Sequence, residues 1–328
     1  MPAAKDYYTM LGVHPKASDE VIKAAYRALV KKYQGDNDRL QKLNEANSVL
    51  TKRRAEYDEG RAKPPGKVIG EYRILKKIAE GGFGTTYQAE NIVLGTPVCI
   101  KHALNISPED ETLLLDEART IWDLRHWGIP AMRDVLRMPD GSLALVMSYI
   151  PGPTLAELII DKYQSGLEPE HVAWITERIL NILMYLHMHG VLHLDVKPQN
   201  VIIQPDTHTV SLVDYGLSAF KPKKTTEAKG YTPYFAAPEQ LDGGVMLPQT
   251  DLYGLGMTMI FALGGDVEHV KVPSTTPANM VKFLKKLIRR DAIQRPNVWK
   301  EHNLCEEIKE VRQADFGRTA SSMKPLTF

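Results

Sequence analysis

The chain has little cysteine: two in 328 residues, Cys99 and Cys305. Thiols so far apart make neither a disulfide framework nor a metal-ligand pair by spacing, and they fit a reducing, cytoplasmic setting. Net charge is nearly absent as well, with 41 Lys and Arg against 40 Asp and Glu for a formal +1. That balance provides no general field for nucleic acid or for a membrane surface, so neither is expected as a partner and charged recognition must be local. Long apolar runs are also missing. The longest, from about Leu252 to Leu263, contains two glycines and is shorter than the roughly 18 to 20 residues a membrane helix needs. It reads as a buried core helix. The opening MPAAKDYYTMLGV lacks the basic-then-apolar layout of a secretory signal, and no internal repeat or low-complexity tract stands out. What remains is ordinary globular composition, 43% hydrophobic and 25% charged, enough for a sizeable core and two domains.

Punctuation divides the chain. Residues 5 to 59 read as helices, and GRAKPPGKVI then interrupts with two prolines and two glycines. EYRILKKI, TTYQAENI and TPVCIKHAL follow as short β-rich runs, the signature of a twisted antiparallel sheet, and helical patterns dominate from about Leu155. The expected layout is a helical domain over 1–61, a linker over 62–69, a larger domain over 70–300 and a C-terminal helix with a mobile tail over 301–328. ADFGRTASSMKPLTF is polar and aperiodic, so the tail is expected to begin there.

In the first domain, Ser18 is placed as an N-cap with Asp19 and Glu20 in the first helical turn. Val21, Ala24, Ala25, Ala28 and Leu29 are expected on the packed face, leaving Lys23, Arg27 and Lys31 as a solvated basic stripe. A second helix presents Leu40, Leu43, Ala46, Val49 and Leu50, and the two should pack antiparallel. DYYTMLGV, ASDEVIKAAYRALVKKY, LNEANSVL and YDEG, in this order, resemble the J domain of the DnaJ co-chaperones. That resemblance implies a small all-α hairpin and a protein partner. The family's His-Pro-Asp tripeptide is replaced by Gln34, Gly35 and Asp36, which points to targeting or regulation rather than co-chaperone work.

In the second domain, IAEGGFGTTYQA lies between strand-like runs, where glycines let backbone N–H groups come close to a polyphosphate. A plain structural turn would look the same. Downstream, Lys101 ends the apolar strand PVCIK and needs a charged partner if it points inward. Glu117 is the candidate, on a helix opened by Ser107 and Pro108, although two unrelated surface charges are the alternative.

These runs resemble the small lobe of eukaryotic-like serine/threonine protein kinases, with their GxGxxGxV loop, strand lysine and helix glutamate. Ala79 stands for the first glycine and Thr86 for the valine, while Gly81 and Gly84 hold the other glycine positions around Gly82 and Phe83. Cys99 takes the strand's alanine position beside the adenine, either as a small buried hydrophobe or as a reactive thiol. By the same alignment Met147 is the gatekeeper, Ser148 to Ile150 offer backbone groups to adenine, and Ile202 lines the same site.

The stretch VLHLDVKPQN continues the resemblance: His193, Leu194, Asp195, Lys197 and Asn200 match the family's catalytic loop, with leucine where arginine is usual. The resemblance implies Asp195 as the carboxylate that receives the hydroxyl proton and Lys197 as the cation at the transferring phosphoryl group. It implies Asn200 and Asp214 as magnesium ligands, Tyr215 for the usual phenylalanine and Thr232 beside Asp195. Glu239 should pair with Arg295, and Asp251 should anchor the loop backbone. The expected fold is thus α+β, a two-lobed kinase with an antiparallel small lobe and a mainly helical large lobe, preceded by the J-like hairpin. The expected activity is transfer of the ATP γ-phosphate to protein hydroxyls, with Lys101, Glu117, Asp195 and Lys197 as catalytic groups. ATP and Mg2+ are the implied cofactors and a protein the implied substrate. A nucleotide-binding scaffold without catalysis and a co-chaperone-like adaptor are the alternatives. Between Gly265 and Pro277 there is room for little helix, and Leu194 implies control by packing rather than by phosphate.

Overall fold

The computed structural model describes residues 7–13, 17–52, 54, 67–81, 84–103, 108–138, 141–204, 209–296, 299, 303–317 and 326. The chain forms two compact units, Met1–Lys67 and Val68–Phe328.

The first unit is helical: α1 (Tyr7–Leu11), α2 (Asp19–Lys32) and α3 (Asn37–Lys52). Ser18 caps α2, its side chain accepting from the Val21 amide, and Asp36 Oδ1 accepts from the Arg39 amide 3.1 Å away at the start of α3. Tyr8, Leu11, Ile22, Leu43, Ala46 and Leu50 form its core, so the expected hairpin is present with α1 packed against it. The packed face of α2 differs from expectation. Val21 is half exposed and Ala24 and Ala28 are exposed, whereas Ile22 is fully buried and Ala25, Tyr26 and Leu29 are partly covered. Ile22, Tyr26 and Leu29 keep helical spacing with larger side chains than Ala24 and Ala28. Area removed from water therefore sets the phase. Lys23, Arg27 and Lys31 are exposed, as a solvated stripe should be.

The second unit begins with a six-stranded antiparallel sheet: β1 (Val68–Ile69), β2 (Tyr72–Gly81), β3 (Gly84–Asn91), β4 (Pro97–Ala103), β5 (Met132–Arg137) and β6 (Leu143–Ser148), in the order β1-β2-β3-β4-β6-β5. Val68 and Ile69, read as linker, pair with Arg73 and Tyr72 and belong to this sheet. Helix α4 (Pro108–Ile121) follows β4. The helical part contains α5 (Leu155–Glu157) running into a π-turn at Leu158–Lys162, α6 (Pro169–Met188), α7 (Pro238–Leu241), α8 (Pro248–Ala262), α9 (Ala278–Leu287) and α10 (Leu304–Phe316). Two small ladders complete it. β7 (Val191–Leu192) pairs with β10 (Ala219–Phe220), and β8 (Val201–Gln204) pairs with β9 (Thr209–Leu212).

The apolar run 252–263 is the buried α8, and its glycines have a packing reason. A Cβ at Gly254 would sit 2.9 Å from the Val196 carbonyl oxygen, and one at Gly256 would sit 2.4 Å from Ile288 Cγ2. No helix occurs between α8 and α9. The last helix runs into the segment that the sequence reads as tail. Ala314, Asp315 and Phe316 extend α10, because Asp315 accepts hydrogen bonds from Asn279 Nδ2 and the Met280 amide, and Gly317 at φ 64° ends the helix. Among the described residues no helix is long and apolar enough to cross a membrane.

Candidate functional site

A cavity of about 750 Å³ is lined from the sheet by Ala79, Thr86, Cys99 and Lys101, from α4 by Glu117, and from the end of β6 by Met147, Ser148 and Ile150. Asn200, Ile202 and Asp214 line it from the helical part. Of the glycine loop, Gly82 and Phe83 lie outside the described residues, as does Ser107. Gly81 pairs with Gly84 at the end of the β2–β3 ladder, and Ala79 pairs with Thr86. Gly84 has φ 125° and a Cβ there would meet the His102 carbonyl oxygen at 2.4 Å, so only glycine fits.

Lys101 lies in β4 between Thr86 of β3 and Leu145 of β6. Its ammonium reaches Glu117 Oε2 at 2.7 Å and Asp214 Oδ1 at 3.1 Å. The two charges need not be unrelated surface groups: Glu117 is 3% exposed and Lys101 is 11% exposed. Burial pulls the lysine down, but the Glu117 and Asp214 charges outweigh it and hold the ammonium well above an ordinary lysine. Burial raises the Glu117 carboxyl against the pull of Lys101, with the Asp214 charge adding to the rise. At Asp214 burial also raises, yet the Lys101 charge and hydrogen bond win and the carboxyl is held low. Asp214 takes a left-handed backbone, φ 63°, next to its acceptor contact with the Gly216 amide. Burial pushes the Cys99 thiol up to about 11, which favours the hydrophobe over the reactive thiol.

The loop 193–200 is held from below by α8. Asp251 Oδ1 accepts from the Leu194 amide at 2.7 Å, and Oδ2 accepts from the His193 amide at 2.9 Å and meets His187 Nε2 at 2.8 Å. Asp195 Oδ1 accepts from the Thr232 hydroxyl at 2.7 Å, and Oδ2 lies 2.8 Å from Lys197 Nζ, which also donates to Thr232 Oγ1 at 2.9 Å. Asn200 Nδ2 donates to the Asp195 carbonyl at 2.9 Å and to Oδ2 at 3.0 Å. The amide's donor end is thereby spent on Asp195, leaving its carbonyl as the acceptor end of a residue that lines the cavity. His193 is fully buried and its ring is kept neutral chiefly by that burial; Nδ1 accepts from the Asp195 amide, so Nε2–H donates to the Val213 carbonyl at 3.2 Å. Tyr215 packs edge-on to His193 at 4.8 Å, and its hydroxyl finds the Leu212 carbonyl at 3.2 Å.

Around this centre, Arg295 grips Glu239 through both carboxylate oxygens, at 2.6 and 2.9 Å. Leu194 is 5% exposed, with φ 62°, and packs with Leu192, Ala219 and Met246 while Ala228 leans on the cluster. The cavity also has linings that motif spacing did not supply: Ile78, Pro130 and Val213 as apolar wall, Glu157 from the end of α5, and Ile160 and Asp161 from the π-turn. Thr154-x-x-Glu157 carries capping-box spacing, and the structure closes that box, so this one signal was available in the sequence. Asp161 had none, because a π-turn shifts its helical phase.

The protein kinase domain model matches residues 72–267, and the DnaJ domain model matches residues 6–58. The chain is 30% identical over 217 residues to serine/threonine-protein kinase ppk25 of Schizosaccharomyces pombe, covering 64% of this chain and 50% of that protein. It is 28% identical over 207 residues to serine/threonine-protein kinase PrkC of Bacillus subtilis, covering 61% and 31%. It is 30% identical over 199 residues to cyclin-dependent kinase 14 of Oryctolagus cuniculus, covering 59% and 42%. The matches thus span half or less of each relative's length.

Proposed function

This chain belongs to the protein kinase family, and from that premise we propose that it transfers the γ-phosphoryl group of Mg·ATP to serine or threonine hydroxyls of a protein. The observation that carries the proposal is the three-way contact of Lys101 with Glu117 and Asp214, beside an Asp195 already hydrogen-bonded to a hydroxyl. A volume of about 750 Å³ is in the range of small-molecule sites and takes a nucleotide. The donor set fits magnesium, which needs one or two carboxylates plus phosphate oxygens rather than an all-protein cage. Among the described residues no cluster of three or more His, Cys, Asp or Glu could form such a cage. Asn200 and Asp214 would hold the metal, which when bound neutralises charge on the phosphates.

The remaining work falls to this chain's side chains. Lys101 orients phosphate oxygens, and Glu117 and Asp214 fix its ammonium. Asp195 orients the acceptor hydroxyl and takes its proton as the new O–P bond forms and the bond to the leaving oxygen breaks. Lys197, 2.8 Å from Asp195, balances the charge of the phosphoryl group in flight. The Thr232 hydroxyl, bonded to both Asp195 and Lys197, supports a place for an acceptor alcohol between them.

Leu194 supports a non-RD mode of control, in which the segment 217–231 is held by the Leu192–Leu194–Ala219–Met246 cluster instead of a phosphate. The J-like unit is assigned to targeting or regulation, and the setting to the cytoplasm. Purified protein with Mg·[γ-³²P]ATP and a generic protein acceptor should incorporate phosphate, and Asp214→Asn should lower this by about a hundredfold or more. Equal incorporation by both proteins would sink the reading, and nucleotide binding without transfer would make the chain a scaffold.

A further inference from the structure

We infer that Trp299 is a positioning residue for the transfer reaction, acting through His187 and Asp251 on the backbone of the loop that carries Asp195. This rests on the kinase reading above. The chain of contacts is continuous: Trp299 Nε1 lies 3.1 Å from His187 Nδ1, His187 Nε2 lies 2.8 Å from Asp251 Oδ2, and Asp251 accepts the His193 and Leu194 amides at 2.9 and 2.7 Å. An indole N–H can only donate, so His187 Nδ1 must present its lone pair. An ionised carboxylate can only accept, so His187 Nε2 must carry the proton. The two neighbours together admit one form of the ring, the neutral Nε2–H tautomer. A second proton on Nδ1 would face the indole N–H, donor against donor.

The placement of Trp299 is itself costly. Its backbone has φ 76°, a left-handed conformation that bulky L-residues avoid. It is partly buried against the main core, with its ring 5.8 Å from that of His187. The His187 side chain is 2% exposed and Asp251 is fully buried, so the inner half of the relay is dry and these two groups have few alternatives. Facing His187 are Asp251 from α8 and Trp299 from beyond Arg295. The outcome is that Asp251 keeps both oxygens turned to the loop amides, and the loop keeps Asp195 where an acceptor hydroxyl can reach it.

The test uses the full chain in three forms: wild type, Trp299→Phe, and a form with 3-benzothienylalanine at position 299, which keeps the indole shape and removes only the donor. In ¹⁵N-histidine spectra, with His187 assigned from a His187→Gln variant, wild type should show a protonated Nε2 and a bare Nδ1. Both donor-free forms should move the Nδ1 signal and raise exchange of the His193 and Leu194 amides by about tenfold, the size of one buried hydrogen bond. They should lower kcat by about tenfold with KM for ATP unchanged within about twofold. A proton on Nδ1 in wild type, or unchanged amide exchange in the benzothienyl form, overturns the inference. If wild type transfers no phosphate at all, the kinase reading falls instead, and tautomer and exchange still judge Trp299.

Discussion

Under the proposed control by packing, Leu194 matters for how the segment 217–231 is held and not for the transfer chemistry. Arginine at this position would bring a charge into an apolar pocket formed by Leu192, Ala219 and Met246. Leu194→Arg should therefore destabilise the protein by about 3 kcal/mol or more, read as a lowered unfolding midpoint, and should not raise transfer. Thr226 accepts only a local hydrogen bond from the Lys223 amide, so Thr225→Ala and Thr226→Ala should each leave activity unchanged. Loss of activity in either would show that a phosphate is needed after all. Cys99 gives a second residue-scale expectation. With its thiol at about 11 rather than the ordinary 9.0, it holds about a hundredfold less thiolate at pH 8 than an ordinary cysteine. Iodoacetamide should label it slowly by that factor, and Mg·ATP should slow labelling further, because Cys99 lines the cavity. Labelling at the ordinary rate would contradict the burial. The residues Lys101, Asp195, Asn200 and Asp214 were legible in the sequence because each sits inside a short motif. Trp299 was not legible, since its partner His187 is 112 positions away and no local pattern joins them.

At the scale of elements, α8 does more than fill the core, since its first turn presents Asp251 to the loop. Burial alone would raise this carboxyl, but the His187 hydrogen bond and the Leu194 amide outweigh it and hold the carboxyl below its ordinary value of 3.8. A carboxyl depressed in the folded state contributes stability that is present above its unfolded value and is lost as pH falls through its folded value. Asp251→Asn should thus cost about 3 kcal/mol at pH 7, and the gap from wild type should close as pH falls below 3.8. A constant gap from pH 7 to pH 3, measured by denaturant unfolding, would contradict the assignment. The existence and order of such elements were readable from hydrophobic period and from proline and glycine. Helix phase and ends were less so. The α2 face turned on Ile22 and Tyr26 instead of the alanines, and the end of α10 was extended by Asp315 bonding to α9, contacts that sequence distance conceals.

For the molecule as a whole, all six groups assigned to transfer, namely Lys101, Glu117, Asp195, Lys197, Asn200 and Asp214, lie in the unit Val68–Phe328. The unit Met1–Lys67 supplies none of them, so its contribution should be to where the enzyme acts rather than to whether it acts. Its own turn argues against a chaperone role. Gly35 sits at φ 102°, a value proline cannot adopt, and the Asp36 carboxylate is occupied in capping α3. The turn is thus built for joining two helices, and a His-Pro-Asp tripeptide would need a different backbone there. Residues 68–328 alone should phosphorylate a generic acceptor at a rate close to that of the full chain, while the full chain should leave the ATPase rate of a DnaK-type chaperone unchanged. A truncated protein that binds nucleotide but has lost transfer would show that the helical unit is part of the catalytic apparatus, and a stimulated chaperone would show that the altered turn still works.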